Sequence, residues 1–217
     1  MKNSEYFTKE LDYINNPTLK EIVALTLDNA PECIVHIPAS SSGKYHPSYS
    51  LGEGGLMRHI KAAVGIAHSL IATEIFKNFI FGSDVKVDSE MIDLYADCAY
   101  AALILHDCMK PDVESEKKHT RFDHPLLGAK LFTDTANDFI SYYCISVKDK
   151  EVLQTSIPLI KSAIESHMGQ WTESNYMPDV VLPKPKTTLQ QFVHLMDYLG
   201  SRKFLIFDFD VYNDVNR

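Results

Sequence analysis

His106-Asp107 closes the most apolar stretch of the chain, Ala99–Leu105, and an imidazole and a carboxylate at the end of such a stretch demand a partner. Burying either group alone costs several kcal/mol. A salt bridge or a helix-end hydrogen bond would answer that demand. A divalent cation answers it better, because coordination keeps the carboxylate charged without exposing it. The same question recurs along the chain. His59 falls in the first turn of a helix opened by Gly54-Gly55, with Ala63 of the apolar stripe four residues on. Asp197 is embedded among Phe192, Val193, Met196 and Leu199, where Arg202 or Lys203 on the next turn is the alternative partner. His124 precedes Pro125, a position that also suits a capping role, and His167 follows Ile160 and Ile164 on a buried face. Helix after helix aims a His or an Asp inward near one end. A common metal centre built from His59, His106, Asp107, His124, His167 and Asp197 accounts for all of them. Mixed imidazole and carboxylate ligands suit one or two ions such as Mn²⁺, Fe²⁺, Mg²⁺, Ni²⁺ or Zn²⁺.

The elements that must position these residues read as helices. Leu19, Ile22, Val23 and Leu27 predict an amphipathic helix over 17–30. An irregular Pro-, Ser- and Gly-rich stretch follows from Pro38 to Gly55, long enough to be a site wall rather than a mere connection. One helix is expected from Gly55 to about Phe81, and another over about 89–108 whose second half is apolar on all sides and so central. A helix from about Pro125 to Phe139 and one over 149–169, bent at Pro158, come next. Thr187 and Gln190 have capping-box spacing for a last helix over 188–203. Phe204–Val211 alternates as a short strand or an extended strap would, and both remain open. The fold class is all-α, a single domain over residues 1–217.

Composition narrows the function classes. With 45% apolar residues the chain can build a sizeable core, and its net charge of −8 argues against a broad nucleic-acid-binding surface while leaving room for a small basic pocket. The N-terminus carries no apolar leader, and no stretch approaches the roughly 20 apolar residues of a membrane span, so a cytoplasmic protein with no membrane partner is expected. Cys33, Cys98, Cys108 and Cys144 lack paired spacing and are expected as reduced thiols.

Three segments together, Gly54-Gly55-Leu56-Met57-Arg58-His59, His106-Asp107-Cys108-Met109-Lys110 and His194-Leu195-Met196-Asp197, resemble the His…His-Asp…Asp pattern of the HD-domain superfamily of metal-dependent phosphohydrolases. The resemblance covers about residues 46–203 and implies a helical bundle. His124-Pro125 through Gly128-Ala129, and Ser166-His167, are similar to segments of dinuclear members, which implies a second ion held by His124 and His167 with Asp107 bridging. The module is also similar in shape to that of bacterial 3′→5′ exoribonucleases, which share the Gly-Gly-Leu start and a His just before the last Asp. Two positions depart from the pattern: Met109 stands where the family carries glycine, and Met168 where dinuclear members carry a second His.

The resemblance implies hydrolysis of a phosphomonoester or phosphodiester, of a small molecule, a nucleotide or a short nucleic acid. Asp107 and Lys110 would be catalytic, with Lys110 stabilising charge on the phosphoryl oxygens. Lys44, Tyr45, His46 and Arg58 from the long loop, and His194, are candidates to meet substrate, each with a plain surface or supporting role as the alternative. Trp171 is either a stacking surface for a base or rim packing. The same ligand set also suits a diiron oxygenase, and a metal-binding sensor or scaffold without turnover is a third class.

Overall fold

The computed structural model describes residues 1–40, 43–44, 46–111, 120–143 and 145–204. It is all-helical, with no strand among the described residues. A 3₁₀ turn at Asn3–Phe7 leads into α1 (Thr8–Leu11) and α2 (Pro17–Asn29). Then come α3 (Gly55–Ile71), α4 (Glu74–Phe81), α5 (Ser89–Leu105), α6 (His124–Tyr142), α7 (Val147–Ser166) and α8 (Thr188–Gly200).

The central helix is α5, as its apolar second half predicts. Every residue from Ala96 to Leu105 is buried, and α2, α3, α7 and α8 pack around it. Its one charged residue in that stretch, Asp97, accepts hydrogen bonds of 2.8 Å from the backbone N–H groups of both Asn15 and Asn16, fastening the start of α2 to the core. The other end of α2 is fastened by Asn3, whose side-chain amide donates to the carbonyls of Leu27 and Ala30. These first residues carried no periodic signal, yet Phe7 and Leu11 insert fully into the core.

The expected single helix over 55–81 is two. The chain breaks at Ala72-Thr73, where Thr73 takes extended backbone and its hydroxyl accepts from the N–H of Ile75, so that it ends one helix and caps the next. α3 and α4 then diverge by 93°. Among the described residues no single helix is long and apolar enough to cross a membrane. Other boundaries follow the signals read from sequence: Pro125 lies in the first turn of α6, Pro158 inside α7, and Thr187 and Gln190 close a reciprocal capping box at α8. Cys33, Cys98 and Cys108 are free thiols, and Cys144 lies outside the described residues, as does the alternating tail beyond Phe204.

Candidate metal centre

Helix ends meet at one pole of the bundle. His59 comes from the first turn of α3, His106 and Asp107 from the turn that ends α5, His124 from the first residue of α6, His167 from the cap of α7 and Asp197 from the last turn of α8. The approach of α3 depends on Gly54-Gly55. Gly54 holds φ +71°, and a Cβ on Gly55 would fall 2.3 Å from the Ser50 carbonyl oxygen, so only glycine lets the loop backbone lie against this helix start. Arg58 reinforces the same junction. Its guanidinium donates to the carbonyls of Tyr49 (2.5 Å), Leu51 (3.0 Å) and Glu53 (2.7 Å), so the side chain is directed into the loop. Tyr49 in turn donates to the Gly200 carbonyl at 2.5 Å, tying the loop to the end of α8.

The six residues form two groups that share Asp107. In the first, His59 Nε2 lies 2.9 Å from Asp197 Oδ1, 3.4 Å from His106 Nε2 and 3.7 Å from Asp107 Oδ2. In the second, His124 Nε2 lies 2.9 Å from Asp107 Oδ1 and 3.2 Å from His167 Nε2, which is itself 3.6 Å from Asp107 Oδ1. His59, His106 and Asp107 can hold one ion, and Asp107, His124 and His167 another, on buried ligand atoms.

The second group fits a cation on donor chemistry alone. The Nδ1 atoms of His124 and His167 lie 2.5 and 2.8 Å from the backbone carbonyls of Arg121 and Ile164. A carbonyl can only accept, so each Nδ1 donates, which leaves Nε2 as the inward-facing nitrogen and an acceptor whenever the ring carries a single proton. Asp107 Oδ1 is buried and, despite the short approach of His124, has no hydrogen bond among the described residues. With both rings singly protonated, three acceptors face one another at 2.9–3.6 Å, an arrangement that repels itself unless something positive lies between. Atoms about 2.0–2.2 Å from a shared ion stand roughly 3–3.5 Å apart, which is this spacing. His106 is oriented in the same manner, with Nδ1 2.7 Å from the Leu103 carbonyl.

Charge within the first group is strongly coupled. Burial alone would lower His106, but Asp107 and Asp197 overcome it and push the imidazole up to about 10. Burial alone would raise both carboxyls. Lys110 and His106 hold Asp107, and His106 and His59 hold Asp197, well below the usual carboxylate range. Burial, with the neighbouring His167 and Lys110, keeps His124 low despite Asp107. The Lys110 ammonium is 2.6 Å from Asp107 Oδ2. Asp197 finds its partner in His59, while Arg202, the alternative read from sequence, lies with its guanidinium carbon 4.2 Å over the Tyr198 ring.

Of the loop residues, His46 comes closest, its ring edge-on to His59 with centroids 5.9 Å apart. Its Nδ1 is buried without a hydrogen-bond partner among the described residues, and burial together with Lys110 and His59 lowers it to about 4. Lys44 is exposed, and Tyr45 lies outside the described residues. His194 Nδ1 sits 2.7 Å from the His167 carbonyl, which it supports from α8. Met109 and Met168, at the two departures from the family pattern, are both half-buried. The contribution of Tyr49 was not legible in sequence, since a hydroxyl that reaches across to the end of α8 leaves no local pattern.

The HD domain family model matches residues 65–201. The chain belongs to the HD-domain family. This superfamily comprises metal-dependent phosphohydrolases, and the match spans His106, Asp107, His124, His167 and Asp197. His59 precedes the matched residues, so its membership of the centre rests on the distances above. Neither the curated proteins nor the solved structures compared with the chain include a match.

Proposed function

We propose that this HD-domain protein cleaves a phosphomonoester or phosphodiester bond of a nucleotide or short nucleic acid at a two-ion centre. His59, His106 and Asp197 would hold one ion, His124 and His167 the other, and Asp107 would bridge them. The observation that carries the reading is the pair of buried ligand groups that share Asp107, with the Lys110 ammonium at their edge. When bound, Mn²⁺, Fe²⁺, Mg²⁺, Ni²⁺ or Zn²⁺ supplies a Lewis acid and lowers the pKa of water far enough for attack near neutral pH.

The chain's own residues do the rest. The Leu103, Arg121 and Ile164 carbonyls fix the ring orientations of His106, His124 and His167, so no reorganisation is needed when the ligands act. Lys110 is held by Asp107 beside the place where phosphoryl charge grows, and it stabilises that charge in the transition state. His46, neutral at physiological pH, offers its free Nδ1 to a substrate oxygen or hydroxyl. Lys44, exposed on the long loop, would meet substrate there, while His194 supports the His167 carbonyl and Arg58 acts through the loop it holds.

Purified protein should cleave a phosphoester after reconstitution with one of these ions, lose that activity on chelation and regain it when the ion is returned. Asp107→Ala should fold without stoichiometric metal. Full metal content in that variant would overturn the centre. Consumption of O₂ by iron-loaded protein, with every phosphoester inert, would move the assignment to an oxygenase, and bound metal with neither reaction to a sensor or scaffold.

A further inference from the structure

Trp171, His194 and Tyr198 form an aromatic cluster next to the turn that carries His167. Trp171 is the chain's one tryptophan and is 45% exposed. Its ring plane is within 17° of that of Tyr198, with centroids 6.0 Å apart. His194 is the third corner of a near-equilateral triangle, 6.2 Å from Trp171 and 6.1 Å from Tyr198. The Arg202 guanidinium carbon lies 4.2 Å over the Tyr198 ring.

The cluster is tied to the centre at two points. His194 hydrogen-bonds the backbone carbonyl of the ligand His167, and Tyr198 directly follows the ligand Asp197. Trp171 is brought into place by a turn that requires Gly169. That residue holds φ +64°, and any Cβ on it would fall 2.1 Å from the His194 ring. The chain therefore gives up a side chain at position 169 so that an imidazole can lie flat against the turn that presents an exposed indole. Near-parallel aromatic planes backed by a guanidinium match a flat, electron-rich ring, because a base stacks on aromatic faces and a cation adds to such stacking. In an otherwise acidic chain, Arg202 and Lys110 supply positive charge at this pole.

We infer that Trp171, Tyr198, His194 and Arg202 form a nucleobase subsite, which seats the base of the ligand whose phosphate lies at the metal centre. The inference rests on the phosphoester reading above and specifies its substrate as a nucleotide unit.

Because the chain has a single tryptophan, its fluorescence reports on this subsite alone. The protein, loaded with Mg²⁺ or Zn²⁺, is titrated with AMP, with ribose 5-phosphate and with a tetra-adenylate. AMP should quench the emission saturably, and ribose 5-phosphate should not. Tyr198→Ala, which keeps the reporter, should weaken AMP binding roughly tenfold, the scale of one lost aromatic–base stack. Trp171→Ala should weaken it by a similar factor in equilibrium dialysis, with circular dichroism and metal content as wild type. Tighter quenching by tetra-adenylate than by AMP would identify a strand end as the source of the base, and equal or weaker quenching a free nucleotide. Both results support the subsite. Absence of quenching by AMP, or equal response to ribose 5-phosphate, would overturn it. Hydrolysis is scored separately. Base-dependent quenching without turnover removes the hydrolase reading and keeps the subsite, whereas turnover of AMP and ribose 5-phosphate alike without quenching does the reverse.

Discussion

Lys110 Nζ lies 2.6 Å from Asp107 Oδ2, with the carboxylate wholly buried and the lysine half-buried. A cation so close to a carboxylate opposes metal binding there, and yet Lys110 occupies this position one turn beyond Asp107, the residue proposed to bridge two ions. On the function proposed above, transition-state stabilisation would account for that placement where metal affinity would not. Lys110→Ala should therefore bind metal at least as tightly as wild type and lower kcat by about two to three orders of magnitude, with little change in KM. Stoichiometry from elemental analysis together with steady-state rates checks both halves. Wild-type kcat in this variant would reduce Lys110 to a counter-ion for Asp107.

The two ligand groups share only Asp107, so they should be separable. The double variant His124→Ala/His167→Ala removes both nitrogens of the second group and leaves His59, His106 and Asp197 in place. It should retain one equivalent of metal and lose the other. Loss of both equivalents, or of neither, would show that the groups do not act as two sites.

Gly55 is a backbone requirement that metal content can report. A methyl group there would meet the Ser50 carbonyl at 2.3 Å and the Pro38 Cα at 3.0 Å, and neither is the movable end of a side chain. Gly55→Ala should cost about 1–3 kcal/mol of stability, as overpacking does elsewhere, and displace the helix start that carries His59 four residues on. Thermal melts and metal titrations should both move. An unchanged melting temperature with full metal affinity would show that the loop yields freely.

These expectations differ in how far the sequence alone supports them. The residues that converge at this pole were legible because a charged group inside an apolar helix is an anomaly that a one-dimensional reading can detect, as at Asp197 between Met196 and Tyr198. The division of α3 from α4 was written at Thr73-Glu74 as a cap, but apolar residues on both sides concealed it. Residues 3–11 form elements too short for periodicity, although Phe7 and Leu11 are core. The three hydrogen bonds of Arg58 to loop carbonyls depend on how residues 49–53 fold back, and the pairing of Trp171 with Tyr198 on the loop-plus-helix geometry set by Gly169. Both are products of tertiary contact, which spacing does not encode.

The coupled charges of the first group make metal binding and stability depend on pH in a definite direction. His106 in the metal-free protein is raised from an ordinary value of about 6.5 to about 10, chiefly because Asp107 and Asp197 outweigh its burial. Its proton therefore stabilises the fold fully below about pH 6.5, and this contribution is lost as the pH rises through about 10. Asp107 and Asp197 are depressed, so their contribution is present above about pH 4, the unfolded carboxylate value, and is lost as the pH falls below it. On account of this centre, the metal-free protein should be most stable between roughly pH 4 and 6.5. A bound cation must displace the His106 proton, so apparent metal affinity rises with pH across the same range in which the metal-free fold weakens. Melting temperatures measured with chelator and with saturating metal should consequently diverge from pH 6 to pH 9, and calorimetry in buffers of different ionisation enthalpy should register proton release on binding. In His106→Ala the divergence should be largely abolished. A metal-induced shift in melting temperature that is constant from pH 6 to pH 9 would show that His106 is already neutral before the ion arrives.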